Sequence, residues 1–398
     1  MNKDDKQPKV LFLSHNVPEP ANSGDTLRLR NLLRFFKKQG YETICIFKGH
    51  FDKHAVVSDS KGLIDDVYFS SDYRNLFTKL DKPFKLLKLI QNNNAKAYFA
   101  DLHLRLAVKE VYAKHKPDVV VAEYIFLASY LKNVPKNVLK IIDTIDVFAR
   151  KAEEVCKHGV DFPLACTEAE ERKYLLNGDV LMGIQPDETK ILADMVPERR
   201  VINVGVDMPC NISSDMDKED IGNARNILIV AGGNPNNVHG VNQFLTDSWP
   251  KIYKTNSNVS LRVVGPVCKH IPKELVSNGV DLAGVVDDLS LEYRRADIVV
   301  NPVVAGTGLK IKTIEAMSYG KPIVSTPNGI EGIIVEEHEF LPFVVAESNE
   351  FALRILQLLE SEQELLDLKS AVREYTKKYL NACYVYKELD YELKHEAN

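Results

Sequence analysis

Strand-like and helix-like segments alternate along this chain, stop at a polar stretch near its middle, and then alternate again. Lys9–Ser14 is a short apolar run, and from about Asp25 to Gln39 the residues Leu29, Leu32, Leu33 and Phe36 recur at helical spacing, with Gly40 as the stop. Glu42–Phe47, Val119–Ala122 and Leu139–Ile142 are further strands with helical segments between them. Such a pattern specifies a parallel sheet with right-handed crossovers. Asn211–Asn226 carries no apolar period and forms a linker. Beyond it, Asn226–Val230, Ser260–Val264, Gly279–Ala283, Asp297–Asn301 and Pro322–Ser325 are the strands of a second sheet. At 398 residues the chain exceeds what one hydrophobic core usually supports, so two Rossmann-like domains are expected.

Composition narrows the class. The six cysteines (Cys45, Cys156, Cys166, Cys210, Cys268, Cys383) are scattered with no C-x-x-C pair, and Met1–Lys9 is too polar for a secretory signal. That pattern reads as reduced cytoplasm, and because no run of about 18 or more apolar residues occurs, a transmembrane helix is not expected. A net charge of −5 argues against a nucleic-acid partner. No His, Cys or carboxylate cluster has zinc spacing, and no G-x-S-x-G supports a hydrolase. The D-x-D of interest, Asp215-Met216-Asp217, lies in the charged stretch Ser213–Asp220 and is assigned to solvent, leaving no metal site and no cofactor.

The stretch that speaks most directly to chemistry is Gly306-Thr307-Gly308-Leu309-Lys310-Ile311-Lys312-Thr313-Ile314-Glu315-Ala316. It follows the apolar strand Ala296–Pro302 and opens a helix over Ile311–Tyr319. Two glycines permit a tight turn and leave amide N–H groups bare at a helix N-terminus, where the dipole favours a phosphate. Lys310 adds a full positive charge, and Glu315, about one turn into the helix, can accept hydrogen bonds from sugar hydroxyls. A lone glycine-rich turn can equally be a plain connector. Here, however, Gly320–Thr326 supplies a helix stop and another strand, and Asn328-Gly329-Ile330-Glu331-Gly332 a second polar loop. Ligands of open parallel sheets sit beyond the carboxyl ends of the strands, which is where both loops fall.

The chain resembles retaining nucleotide-sugar glycosyltransferases of the GT-B fold, family 4 (group 1). The resemblance is carried by the Gly306–Thr326 block, by Pro18-Glu19-Pro20 to Gly24 with Arg28, and by Arg199–Asp207. It extends to Gly232-Gly233-Asn234-Pro235-Asn236-Asn237 and Gly284-Val285-Val286-Asp287-Asp288, in the family's order. It implies two Rossmann-like domains facing a cleft. The first, acceptor-binding domain spans 1–205, the donor domain 206–375, and a C-terminal helix, 376–398, crosses back to the first. Catalytic residues would be Lys310, Glu315, Asp146 and Arg28. The donor would be bound by Gly24, Gly233, Asn234, Val286, Thr307, Gly308 and Leu309, together with Lys310 and Glu315. The implied activity is transfer of a sugar from a nucleotide-diphosphate sugar to a glycan, lipid-linked glycan or other hydroxyl acceptor, with retention and without a metal.

Some positions depart from the family pattern. Thr307 stands where many members carry a glutamate, Ile145 replaces the histidine of a D-x-H-D-like turn in Asp143-Thr144-Ile145-Asp146, and the arginine and lysine expected in the Gly233–Asn237 loop are missing. Lys310 is thereby left to carry more of the diphosphate charge. Gly24 either contacts the ligand or merely precedes a helix capped by Ser23 or Asp25. Arg28 either reaches an anionic group or is an exposed helix arginine. The final stretch Glu350–Tyr391 is expected to be a long amphipathic packing helix whose end is crowded by Tyr375, Tyr379, Tyr384 and Tyr386.

From Arg74 to Lys116 ten lysines or arginines face three acids, interleaved with Phe77, Leu80, Phe84, Leu87 and Ile90. This segment is either a solvated helix face or a peripheral contact with the inner face of the membrane, suited to a lipid-linked acceptor. Two other functions share the scaffold. A nucleotide-sugar epimerase would surround the sugar with acids and histidines, yet only His15, His239 and His270 lie near strand ends. A catalytically inactive partner subunit would tolerate loss of Lys310 and Glu315, which are present, while Ile145 and Thr307 keep that alternative open.

Overall fold

The computed structural model describes residues 7–21, 23–77, 101–151, 166–212, 226–306, 308–335 and 341–396. Thr307, the Asp215-Met216-Asp217 triplet and the lysines Lys79, Lys82, Lys85, Lys88 and Lys96 of the basic segment lie outside the described residues. The chain divides into two compact units, Met1–Val206 with Tyr386–Asn398, and Asp207–Val385.

The first unit is a parallel sheet of β1 (Lys9–Ser14), β2 (Glu42–Phe47), β3 (Asp66–Phe69), β4 (Val119–Glu123), β5 (Leu139–Asp143), β6 (Val180–Gly183) and β7 (Arg200–Asn203), in the order β3-β2-β1-β4-β5-β6-β7. Its helices are α1 (Gly24–Lys38), α2 (Lys53–Asp59), α3 (Leu102–His115), α4 (Glu168–Leu175) and α5 (Pro186–Met195). Covered on both faces, the central strands are apolar without alternation, and Val10 to Leu13 of β1 are all fully buried. On α1 the stripe Leu29, Leu32, Leu33 and Phe36 is buried, and the Phe12 and Phe36 rings meet edge to face at 5.4 Å. The strands β3, β6 and β7, four residues each, join those expected from sequence.

The second unit repeats the plan with β8 (Asn226–Val230), β9 (Ser260–Val264), β10 (Val280–Gly284), β11 (Ile298–Asn301), β12 (Ile323–Ser325) and β13 (Val344–Val345), ordered β10-β9-β8-β11-β12-β13. The helices are α6 (Pro235–Asp247), α7 (Trp249–Thr255), α8 (Leu289–Arg295), α9 (Ile311–Ser318), α10 (Phe351–Glu360), α11 (Glu362–Tyr379) and α12 (Ala382–Val385). In each sheet the winding direction reverses once, between β1 and β4 and between β8 and β11. At such a switch point the loops beyond neighbouring strands diverge and leave room for a ligand.

The expected long final helix is broken, and this corrects the sequence reading. Ser361 adopts extended backbone (φ −111°, ψ 95°) and its side chain accepts the Glu364 N–H, so α10 ends and α11 begins there. The last helix, α13 (Lys387–Glu396), belongs to the first unit. There Tyr386 stacks on Phe35 with centroids 4.5 Å apart, Leu389 and Leu393 are buried, Arg200 pairs with Glu392 at 2.7 Å, and Glu388 accepts the Asn203 N–H. Tyr375, Tyr379 and Tyr384 form a chain of ring contacts in the second unit, so these aromatics pack rather than bind. Among the described residues no helix is long and apolar enough to cross a membrane.

Candidate active site

The turn from β11 into α9 has the geometry its glycines require. Gly306 (φ 118°) and Gly308 (φ 77°) both lie in the left-handed region, where a side chain would be strained. Lys310 is the residue that starts α9, and its Nζ folds back to donate to the Gly306 and Gly308 carbonyls at 3.1 and 2.8 Å and to Glu331 at 3.1 Å. Glu331 comes from the second polar loop, which is fastened to the first by Asn328 Nδ2 donating to the Gly306 carbonyl at 2.7 Å. Asn301, at the end of β11, donates to Thr313 Oγ1 and to the Gly329 carbonyl, and Thr313 donates to the same carbonyl at 2.7 Å. A Cβ on Gly329 would lie 2.2 Å from Ser325 Oγ and 2.7 Å from Asn301 Nδ2, so glycine lets the second loop settle against the ends of β11 and β12. The loops expected to flank one site are therefore one hydrogen-bonded body.

Two residues on α9 face opposite fates. Glu315 is half-buried and accepts a hydrogen bond from Tyr293 Oη at 2.9 Å; Tyr293, on α8, is fully buried and stacked on Tyr319 at 4.9 Å. Burial, reinforced by Glu315, pushes the Tyr293 hydroxyl well above the ordinary tyrosine range, so it stays a donor and fixes the carboxylate's direction. Lys312 was not singled out from sequence. Its Nζ donates to Asn237 Oδ1 at 2.8 Å, and desolvation, with Lys310 as a lesser cause, lowers its pKa to about 7. The only signal available was the Lys-Ile-Lys spacing, which reads as a solvated face until α6 is known to cover it.

Other expected donor residues fall beyond the carboxyl ends of β8, β10 and β11. Asn234 caps α6, accepting the Asn237 N–H at 3.0 Å, and Pro235 sits in the first turn, where no N–H is needed. A Cβ on Gly233 would lie 3.2 Å from His270 Nε2, which places that imidazole against the loop after β8. Val286 is half-buried in the turn after β10, and Leu309 is half-buried between Gly308 and Lys310. His239 is on α6, two residues past Asn237. Among the described residues no group of His, Cys, Asp and Glu is placed to hold a metal ion.

The first unit gathers a separate polar cluster at its own switch point, and here Arg28 must be corrected. It is neither exposed nor reaching outward: its side chain is 2 % exposed. It makes a two-pronged contact with Asp143 (2.7 Å from Nε to Oδ2 and from Nη2 to Oδ1) and donates to the Val204 and Gly205 carbonyls. Every prong of the guanidinium is used to join α1, β5 and the segment after β7. Next to it, Glu123 ends β4 fully buried; burial, with Asp143 nearby, pushes its carboxyl well above the ordinary range. Gly24 opens α1, and the Ser23 N–H donates to Thr26 Oγ1 at 3.1 Å, so Ser23 takes the capping position. His15, its pKa lowered by burial, lies tilted against the Tyr124 ring with centroids 4.9 Å apart, and Asp25 accepts from Asn16 Nδ2 at 2.5 Å. Asp146 pairs with Lys151 at 2.6 Å, and the Phe148 and Ala149 N–H groups that follow it are held by the buried Glu171. Ile145 itself has φ 62°, a strained conformation for a β-branched residue, and is buried.

Comparison with known proteins agrees with this arrangement. Residues 224–361 match the family model described as "Glycosyl transferases group 1". A relative described as an uncharacterized 44.6 kDa protein in the cps region of Klebsiella pneumoniae is 24% identical over 347 residues, covering 81% of this chain and 84% of that protein. Sucrose-phosphate synthase from Thermosynechococcus elongatus superposes with a TM-score of 0.70 at 15% identity, over 98% of both chains. HepE from Anabaena, solved with UDP and glucose, does so at 0.67 and 13% identity, over 98% of this chain and 100% of that one. The fold is GT-B, with two parallel-sheet, Rossmann-like units, and with the family match in the second unit it supports a glycosyltransferase of group 1 type.

Proposed function

We propose that the protein transfers a glycosyl group from a nucleoside-diphosphate sugar to a hydroxyl of a growing glycan or lipid-linked glycan, with retention at the anomeric carbon. The observation that carries this reading is the start of α9. Two left-handed glycines, bare helix-end amides and two lysines converge there, with a carboxylate held by Tyr293 one turn on. In the reaction the bond from the anomeric carbon to the phosphate oxygen breaks, its electron pair leaves with the diphosphate, and the acceptor oxygen forms the new bond as it gives up its proton. Negative charge grows on the leaving group, so preorganised amides and lysines lower the barrier without a divalent cation. Glu315 would accept from donor hydroxyls. Asp146 and the loop before Gly24 would serve the acceptor, and Arg28 acts through Asp143 as a positioning residue. UDP is bound by the Anabaena neighbour, and a relative lies in a cps region, so a UDP-sugar and a surface glycan are the favoured pair. The reaction would take place in the cytoplasm, at or near the inner membrane face.

A screen of nucleotide sugars by thermal shift identifies the donor, because a ligand of the folded state raises its apparent stability. Calorimetry on Lys310→Ala and Glu315→Ala should then show each losing about 1.5 to 3 kcal/mol of affinity. Turnover should persist in excess chelator. Unchanged affinity in both variants, or activity restored only by added manganese or magnesium, would sink the assignment.

A further inference from the structure

Among the described residues the charges around the α9 N-terminus do not balance. Lys310 is matched by Glu331, which lies 3.1 Å away. Lys312, two residues on, has a neutral amide, Asn237, as its hydrogen-bond partner, and no carboxylate within ion-pair distance among the described residues. Its amine also sits at the positive end of the helix, beside a second lysine. A partly desolvated ammonium beside another lysine is costly, and its pKa falls to about 7. An anion arriving at the glycine turn would remove that cost by supplying a counter-charge.

We propose that Lys312 is a second cation of the donor site and that docking of a nucleoside diphosphate is coupled to uptake of a proton by its amine. The inference rests on the donor-site reading above. The groups shown around the Lys312 amine are Asn237 from α6 and Lys310 from the turn, and Lys310 is itself paired with Glu331 from the second loop. Among the described residues Lys312 has no carboxylate counter-ion, and its side chain is half-buried against Asn237 of α6. The amine binds a proton from solvent, becomes an ammonium and pairs with a phosphate oxygen; the diphosphate's departure returns the proton.

Isothermal titration of the full chain with UDP, GDP and ADP, repeated at pH 8 in buffers of different ionisation enthalpy, measures the protons exchanged. At that pH the terminal phosphate, with a pKa near about 6, contributes little. The expected result is uptake approaching one proton per nucleotide. Above pH 7, where the terminal phosphate is already ionised, affinity should fall by up to about tenfold per pH unit. Lys312→Met should abolish the uptake and the pH dependence and weaken binding about 10- to 100-fold at pH 6.5. Lys312→Arg should bind without proton uptake, since guanidinium is always charged. Folding provides a control with its own sign. The folded lysine loses its proton near 7 and the unfolded one only near about 10.4, so the penalty of burying it is full below pH 7 and vanishes as pH rises toward that unfolded value. Lys312→Met should therefore melt at or above wild type at pH 6.5, with the gap closing in alkali. Tight binding in wild type with no proton exchange, or uptake that survives in Lys312→Met, overturns the proposal and leaves the donor assignment standing. No binding of any nucleoside diphosphate overturns both.

Discussion

Tyr293 shows how much a single hydroxyl can govern at this site. It is fully buried, donates to Glu315, and leans on Tyr319. Replacing it with phenylalanine keeps the volume and the stacking but releases the carboxylate. A charged acceptor deprived of one donor forfeits about 1.5 to 3 kcal/mol, part of it in orientation. The Michaelis constant for the donor should accordingly rise several-fold in Tyr293→Phe with turnover little changed, since Glu315 would contact hydroxyls in ground and transition state alike. A variant with wild-type constants would show that Glu315 needs no such hold. Neither Tyr293 nor Lys312 was legible beforehand. Glu315 and Lys310 announce themselves within an eleven-residue block, whereas Tyr293 is 22 residues upstream in an unremarkable helix. Arg28 failed for a similar reason: its burial is decided by Asp143, 115 residues away, and helical periodicity carries no word of that partner.

At the level of elements, the seat of α6 on β11 is set by one glycine. Gly240 lies in the middle of the helix, where alanine is normally favoured by up to about 1 kcal/mol. Here an added Cβ would stand 2.3 Å from the Pro302 carbonyl oxygen and 3.2 Å from Val303 Cα, both backbone. Gly240→Ala should thus lower the melting temperature despite its better propensity, and should weaken nucleotide binding because α6 carries Asn237 and Asn234. A rise in melting temperature would mean the helix shifts freely. The long strands and α1 were legible because their apolar runs or 3.6-residue stripes span a full element. The strands β3, β6 and β7 were not, and the break at Ser361 hid inside a continuous amphipathic stripe.

For the whole molecule, sequence order alone announced the double Rossmann plan, because the pattern restarts after a polar linker. What it withheld is how charge is distributed around each switch point. The basic segment remains a proposal from sequence, since Lys79, Lys82, Lys85 and Lys88 lie outside the described residues. Each lysine at an anionic surface contributes about 1 kcal/mol. Wild-type protein should co-sediment with anionic vesicles at low salt, release as salt rises, and lose this behaviour when the four become glutamine. Indifference of the wild type to such vesicles would make the acceptor a soluble one.

The return of α13 to the first unit has a consequence for how the protein comes off the ribosome. Everything else in that unit is synthesised by Val206, but Tyr386, Leu389 and Leu393 emerge only after Asp207–Val385, the 179 residues of the second unit. At about 5 to 20 residues per second, the nascent first unit waits about 9 to 36 s with Phe35 and the β7 edge uncovered. The second unit can complete its sheet during that interval, so the unit begun first is the one finished last.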